Sequence, residues 1–276
     1  MQKFAKELKN MKIERIDTEP TEQLGYISAG AGGISIVETK LPIYKGYVSD
    51  LPGHIDALIV TSDLQGIIRK AQEDILLGEA LSEYLALLIE IEWPWIRIDK
   101  TGVLLCGDLY ADSGKRGGSG NPVSVWQAFY RSFGWVTGVA GNHDLLDSVG
   151  LCFLQETERI QFIERPAIVN MESFTIAGLG GIIGRPDKPN RIAEAEYLRA
   201  LRKLLTKQPH CMLLHQSPGF PERFLEGNEQ IRKTIEASPG TVVFCGHSHW
   251  DTSLVHLTNG TQVLNADGKI FILLRV

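Results

Sequence analysis

The sequence predicts an α/β domain, and three observations carry that prediction. Short apolar, β-branched runs alternate with stretches of helical periodicity between residues 58 and 214. Several of those runs stop abruptly at Gly, Asp, Asn or His, as strands do when they deliver loop residues to a sheet edge. The chain then closes with strand-like segments at 253–257, 262–264 and 270–274. A chain of 276 residues is long enough for a sizeable core. We divide it into an extension, residues 1–56, expected to pack on the same domain, and a domain proper, residues 57–276.

In chain order, residues 1–10 read as a short helix, and 26–29 with 34–39 as a hairpin around the Gly-rich turn 30–33. That turn is not a phosphate loop, because neither a helix pattern nor Lys-Ser/Thr comes after it. The hairpin is expected to add strands to a sheet edge. Residues 58–62 form a buried strand, and a long helical pattern is expected after Gly66. Its apolar face is Leu77, Leu81, Tyr84, Leu85, Leu88 and Ile91, and Pro94 stops it. A strand at 103–106 is next, then a Ser/Gly-rich loop at 111–121 carrying Lys115 and Arg116. The loop is either a solvated connector or a lid that grips substrate. A helix at 122–133 starts with Pro122 near its first position. Strands at 134–140 and 174–179 and a helix at 193–205 complete the middle of the chain. Arg199, Arg202 and Lys203 of that helix read as a solvated face.

Composition narrows the function classes. Apolar residues make up 43% and charged residues 22%, as in ordinary soluble globular proteins. The net charge of −5 gives no support to binding a nucleic-acid backbone. Four scattered cysteines without CxxC spacing argue against structural zinc or a disulfide framework. Residues 1–12 lack the pattern of a signal peptide, and no apolar run approaches the ~20 residues that span a bilayer. A cytoplasmic location and no membrane partner are therefore expected.

The chemistry gathers at the strand ends. Five apolar runs lead into metal-ligand residue types: 58–61 before Asp63, 103–106 before Gly107-Asp108, 134–140 before Gly141-Asn142-His143-Asp144, 211–214 into His215, and 241–245 before Gly246-His247-Ser248-His249. Of seven histidines, four fall in these places, which scattered core or surface histidines would not do. His54, His210 and His256 match no motif and read as structural or exposed. Oxygen and nitrogen donors without thiolate suit divalent Mn, Mg, Fe or Zn.

In order and spacing, these motifs resemble the calcineurin-like metallophosphoesterase family; the residues 258–265 also resemble its closing strands. One departure is Gln65, where the family has the His of an Asp-x-His motif. The resemblance implies a four-layer sandwich of two mixed β-sheets flanked by helices. It further implies a binuclear site of two divalent ions, with manganese the first choice and magnesium, iron or zinc as others. Asp108 would bridge them. One ion would take Asp63 and His249, with or without Gln65, and the other Asn142, His215 and His247. Two close ions can clamp the attacking and leaving oxygens of an in-line displacement. His143, oriented by Asp144, resembles the family's general acid, although Asp144 also fits a turn or helix cap. Arg185 and Arg191, with Lys188, lie in the Gly/Pro-rich loop 180–191 and either contact substrate or keep the loop soluble.

Together these features read as hydrolysis of a small-molecule phosphoester. The rivals are a nuclease of the same family and a non-catalytic phosphoesterase-like scaffold for protein binding. The acidic charge counts against the first, and the near-complete ligand set with His143 against the second.

Overall fold

The computed structural model describes residues 11–30, 35–70 and 73–276. The predicted helix at 1–10 and the tip of the Gly-rich turn lie outside the described residues. The extension contributes β1 (Lys12–Ile16), β2 (Glu22–Ala29) and β3 (Ile36–Ser49). β2 and β3 form the expected antiparallel hairpin, Ala29 facing Ile36.

The first motif strand is β4 (Ala57–Ser62), and the segment after Gly66 differs from the predicted helix. A hairpin comes first, β5 (Ile67–Lys70) and β6 (Glu73–Leu76), and only then α1 (Leu77–Glu92). Ile67, Ile68 and Ile75 are β-branched, and Ile67 pairs with Ile27 of β2, so sheet pairing wins over helix extension at this point. The helix begins where Glu79 reaches back to accept the Leu76 N–H at 3.3 Å. Its last cap, Trp93, precedes Pro94.

Next come β7 (Thr101–Leu105), α2 (Val123–Ser132), β8 (Trp135–Gly138), α3 (Ser148–Glu156) and β9 (Ile160–Phe162). After them stand β10 (Ala167–Met171), β11 (Phe174–Leu179), β12 (Ile182–Ile183), β13 (Arg191–Ile192) and α4 (Glu194–Leu205). The last part holds β14 (Cys211–Gln216), α5 (Glu229–Glu236), β15 (Val242–Gly246), β16 (Leu254–His256), β17 (Gln262–Asn265) and β18 (Lys269–Arg275). Arg199, Arg202 and Lys203 of α4 lie outside its buried face, as expected.

Two large sheets result. The first runs β6-β5-β2-β3-β18-β4-β7-β8-β9, with β1 on β3, and the second β10-β11-β14-β15-β17-β16. Instead of capping an edge, β3 is interior, parallel to β18. Alternation along single strands shows how the layers stack. In β4, Leu58 and Val60 join Phe174, Ile176 and Phe244 in the core between the sheets. Ala57 and Ile59 turn the other way, against Leu81 and Leu85 of α1 and Trp126 and Phe129 of α2. In β14, Leu213 faces between the sheets, while Met212 and Leu214 pack on Tyr197 and Leu201 of α4 and Ile231 of α5. Both faces of each central strand are thus buried, which explains why those strands read as continuous apolar runs. The architecture is mixed α/β with helices outside two stacked sheets, as the sequence implied. Among the described residues no helix is long and apolar enough to cross a membrane.

Register aligns the functional ends. β4, β7 and β8 are parallel neighbours, Val60 facing Leu104 and Leu104 facing Thr137. In the second sheet Leu213 faces Phe244, and Gln216 faces Gly246. The residues just beyond these strands therefore share one edge of the sandwich, in keeping with the rule that ligands bind outside the carboxyl ends of parallel strands.

Candidate metal centre

The loops at this edge hold several side chains in backbone conformations that most residues avoid. Asp63, Asp108 and His247 have φ of 55°, 53° and 71°. Non-glycine residues in this region are uncommon and need support from their surroundings. The support is visible. The Asp144 carboxylate accepts the backbone N–H groups of Asp108 (2.8 Å), Leu109 (2.9 Å) and Gly141 (2.9 Å). Asp63 Oδ2 accepts the His247 N–H at 2.8 Å and the Ser62 hydroxyl at 2.7 Å. Asp108 Oδ1 accepts the His143 N–H at 2.8 Å. Asn190 Nδ2 donates to the carbonyls of Gly141 (2.8 Å) and Asp144 (2.6 Å). The loops pack so closely that a Cβ at Gly141 would overlap the Asp108 carboxylate, and one at Gly246 the Asp63 carboxylate.

Within this frame Asp108, His215 and His247 bring one ligand atom each to within 4.8 Å of one another. His215 is fully buried. Its Nδ1 lies 2.8 Å from the Cys106 carbonyl, which can only accept, so Nδ1 carries the proton. Nε2 then turns its lone pair toward Asn142 Oδ1 at 3.2 Å and Asp108 Oδ2 at 3.4 Å. Three lone-pair-bearing atoms converge, and a proton or a cation must sit among them.

The electrostatics agree. Burial lowers the His215 pKa, but the facing Asp108 carboxylate overrides it and raises the value to about 10. Without a metal the extra proton balances the buried charge. Burial, reinforced by His215, pushes His247 down to about 4, leaving a neutral imidazole ready to ligate. The Asp108 carboxyl, which burial alone would push up, is held below the ordinary carboxylate range by His215. The carboxylate, amide oxygen and two imidazoles therefore fit a divalent cation, which would take the place of that proton.

The remaining predicted residues lie around this cluster. Asp63 and Gln65 line the same cavity of about 720 Å³, together with His143, His247 and His249. Gln65 Nε2 is buried without a hydrogen-bond partner. His249 is largely exposed, 69% for its side chain; its Nδ1 lies 3.2 Å from Asp267 Oδ2 and its Nε2 3.9 Å from Asp251 Oδ1. Nδ1 of His143 is 3.1 Å from the Ser119 hydroxyl in the loop 111–121. Both oxygens of Asp144 serve backbone donors, so the expected orientation of His143 by Asp144 gives way to this contact with Ser119. Arg185 forms a two-point pair with Asp187, at 3.1 and 2.6 Å, and lies outside the cavity lining. Arg191 is close enough for its charge to help depress His247. Lys115 and Arg116 do line the cavity, together with Tyr26, Lys40 and Tyr44 of β2 and β3. His210 stacks on Phe174 and bonds Thr175, a structural place as expected.

Sequence reasoning passed over Asn190, Ser119 and Asp267. Asp267 had a readable signal, since Asp-Gly at the end of an apolar run repeats the pattern of the other strand ends. Asn190 had none.

Two stacked sheets whose strand ends converge on carboxylate, amide and imidazole donors define a metal-site scaffold. The chain matches the calcineurin-like phosphoesterase family over residues 57–251, more than half its length, and belongs to that family. Among solved structures it is similar to TT1561 of Thermus thermophilus, with 16% identity and a TM-score of 0.54, over 78% of this chain and 90% of that one. A hypothetical protein from the same organism is similar at 15% identity and a TM-score of 0.43, over 76% and 75% of the two chains. The sulfate thiohydrolase SoxB of Thermus thermophilus, solved in complex with glycerol, is similar at 14% identity and a TM-score of 0.43, over 79% of this chain and 53% of that one. At 16% identity TT1561 shares the fold. A comparison with curated proteins gave no match.

Proposed function

We propose that this chain hydrolyses a small-molecule phosphoester at a centre of two divalent cations, manganese foremost. The observation that carries the reading is the cluster of Asp108, His215 and His247, whose ligand atoms lie within 4.8 Å of one another, with Asn142 Oδ1 3.2 Å from His215 Nε2, beside a polar cavity that Asp108 and His247 line. Asp108, Asn142, His215 and His247 would hold one cation. Asp63, Gln65 and His249 would serve the other, with Asp108 shared. Bound divalent ions supply Lewis acidity toward phosphoryl oxygens and lower the pKa of water.

The protein's own residues supply the rest. His143 stands directly after the ligand Asn142 and lines the cavity, with Nδ1 held by Ser119. Its Nε2 can carry a proton and give it to the leaving oxygen. Asp144 fixes the backbones of Asp108 and Gly141, and so positions ligands instead of handling protons. Lys115, Arg116 and, near His247, Arg191 offer positive charge to an anionic substrate. Arg185 is a weaker candidate for contact, because Asp187 already pairs with it.

The test is metal analysis of the purified protein beside a panel of phosphomonoesters, diesters and pyrophosphates with Mn²⁺, Mg²⁺ and chelator. Uptake of divalent ions and turnover that chelation abolishes are expected. A protein that takes up no divalent ion and turns over no member of the panel would sink the reading.

A further inference from the structure

At the motif positions alone, the second cation is poorly served: Gln65 offers a neutral amide where an imidazole would be a stronger donor. A carboxylate that no motif contains lies beside this position. β17 is a parallel neighbour of β15, with Asn265 level with Cys245, so the chain leaves β17 at the edge where Gly246 and His247 leave β15. The backbone of Asp267 then bridges to Ser62, and the Gly268 N–H reaches the Ser62 carbonyl at 3.2 Å. Asp267 is thereby docked against the residue that precedes Asp63. Its Oδ2 lies 3.2 Å from His249 Nδ1.

That separation matters. Two ligand atoms sharing a cation at bond lengths of about 2.1 Å sit roughly 3 Å apart when they occupy adjacent positions. The surroundings leave the carboxylate available. Lys269, the buried amine beside it, directs Nζ to the Trp250 carbonyl at 2.7 Å. Asp267 lines the same cavity as Asp63, Asp108 and His249. Gln65, lining the same cavity, keeps a buried amide nitrogen without a partner. An amide flip exchanges that nitrogen for an oxygen, which a cation or its water would satisfy.

We propose that Asp267 is a direct ligand of the second cation, joining Asp63, Asp108 and His249 as an oxygen donor in place of the imidazole that Gln65 lacks. This rests on the two-cation reading above and names how this chain completes it. A position rich in carboxylate favours Mn²⁺ or Mg²⁺ over Zn²⁺.

A rival role would have Asp267 act only through the His249 ring, holding its Nδ1 as outer partners of ligating histidines do. A double-mutant comparison separates the two. Mn²⁺ binding to the full chain is tracked by the electron paramagnetic resonance signal of the free ion. The proteins are the wild type, Asp267→Asn, His249→Ala and the double variant, with thermal melts as the folding control. We expect two ions per wild-type chain and one tight ion in Asp267→Asn. In the His249→Ala background, where a role through the imidazole is gone, Asp267→Asn should still weaken the second ion by about tenfold or more, at least what loss of an outer partner costs. Should Asp267→Asn fold poorly, Asp267→Glu serves instead; it keeps the charge and is expected to retain the second ion more weakly. No further loss in the His249→Ala background, or unchanged binding in Asp267→Glu and Asp267→Asn alike, overturns the assignment while leaving the two-cation reading intact. A wild type that binds no Mn²⁺ removes both.

Discussion

Replacing Asp144 by alanine separates a brace from a catalytic partner. The residue is 3% exposed, and its carboxylate accepts three backbone N–H groups, two of them on Oδ2. Hydrogen bonds to a charged acceptor contribute about 1.5–3 kcal/mol each, so the gross stabilisation is roughly 5–9 kcal/mol. Burial, and then Asp108, push the Asp144 carboxyl from 3.8 up to about 6, a value that already includes the opposing pull of the Gly141 and Leu109 N–H groups. The group stays ionised at neutral pH, so its hydrogen bonds are charge-assisted, but burial offsets part of their gross worth. Alanine also leaves three buried donors unsatisfied, so a net loss of about 3 kcal/mol is expected, a fall in Tm of roughly 6–12 °C. Asn keeps one acceptor oxygen but turns an amide N–H toward a donor, and should lose about 2 kcal/mol. Urea and thermal unfolding of the metal-free proteins measure this directly. A reading in which Asp144 instead serves His143 predicts the opposite: stability within about 0.5 kcal/mol of wild type, with turnover lost. That result would refute the brace.

Asp108→Asn should abolish bound metal at one or both positions and nearly all turnover, which elemental analysis beside a hydrolysis assay checks; full metal with full activity would dismiss the shared-ligand role. His143→Ala should slow hydrolysis of an alkyl phosphate by about 10²–10⁴-fold but that of nitrophenyl phosphate far less, and equal losses on both would assign His143 to binding. Gln65→His should tighten the second cation and shift it toward Zn²⁺, read by competitive titration with Mn²⁺; identical affinities would place Gln65 outside coordination. Away from the site, burial pushes Asp56 up, yet the Arg97 guanidinium at 2.9 Å more than offsets it and holds the carboxyl below its ordinary range. Its contribution to stability is therefore present above about pH 4 and lost as pH falls through the lower folded value. Asp56→Asn should flatten that acid limb of the stability curve, and an unchanged limb would show that the pair contributes nothing.

What the sequence made legible was the longest and most regular of its local patterns. Buried parallel strands read as apolar runs because both faces of β4 and β14 are covered, and the candidate ligands stood out because each lies at the end of such a run. The β5–β6 hairpin escaped because Ile67 and Ile68 suit a helix face as well as a strand, and the choice is made by β2, which lies about 40 residues earlier. The helices α3 and α5 were missed because both are short; their caps, Asp147 accepting from Gly150 and Asn228 from Gln230 and Ile231, look like ordinary turn residues when no long apolar stripe comes after them. The role of Asp144 was not readable at all, since two of its partners are backbone groups 35 and 36 positions away in the chain. Local sequence names a carboxylate but not the distant amide that occupies it.

The position of β18 bears on how the molecule comes to exist. This strand lies between β3 and β4, parallel to one and antiparallel to the other, and ribosomes make it after both. Until residues 269–275 have emerged, β3 and β4 each present an open row of amides and carbonyls, and the first sheet is in two halves. The same late stretch of chain starts two residues after Asp267 and pairs Lys269 with Ser62, beside Asp63. Sheet closure and placement of a carboxylate in the cavity wall are thus one event, delayed until both flanking strands are long made, with long-range pairings that close slowly. A nascent chain halted before residue 269 would carry every candidate ligand and no way to bring the halves together, leaving it exposed to chaperones.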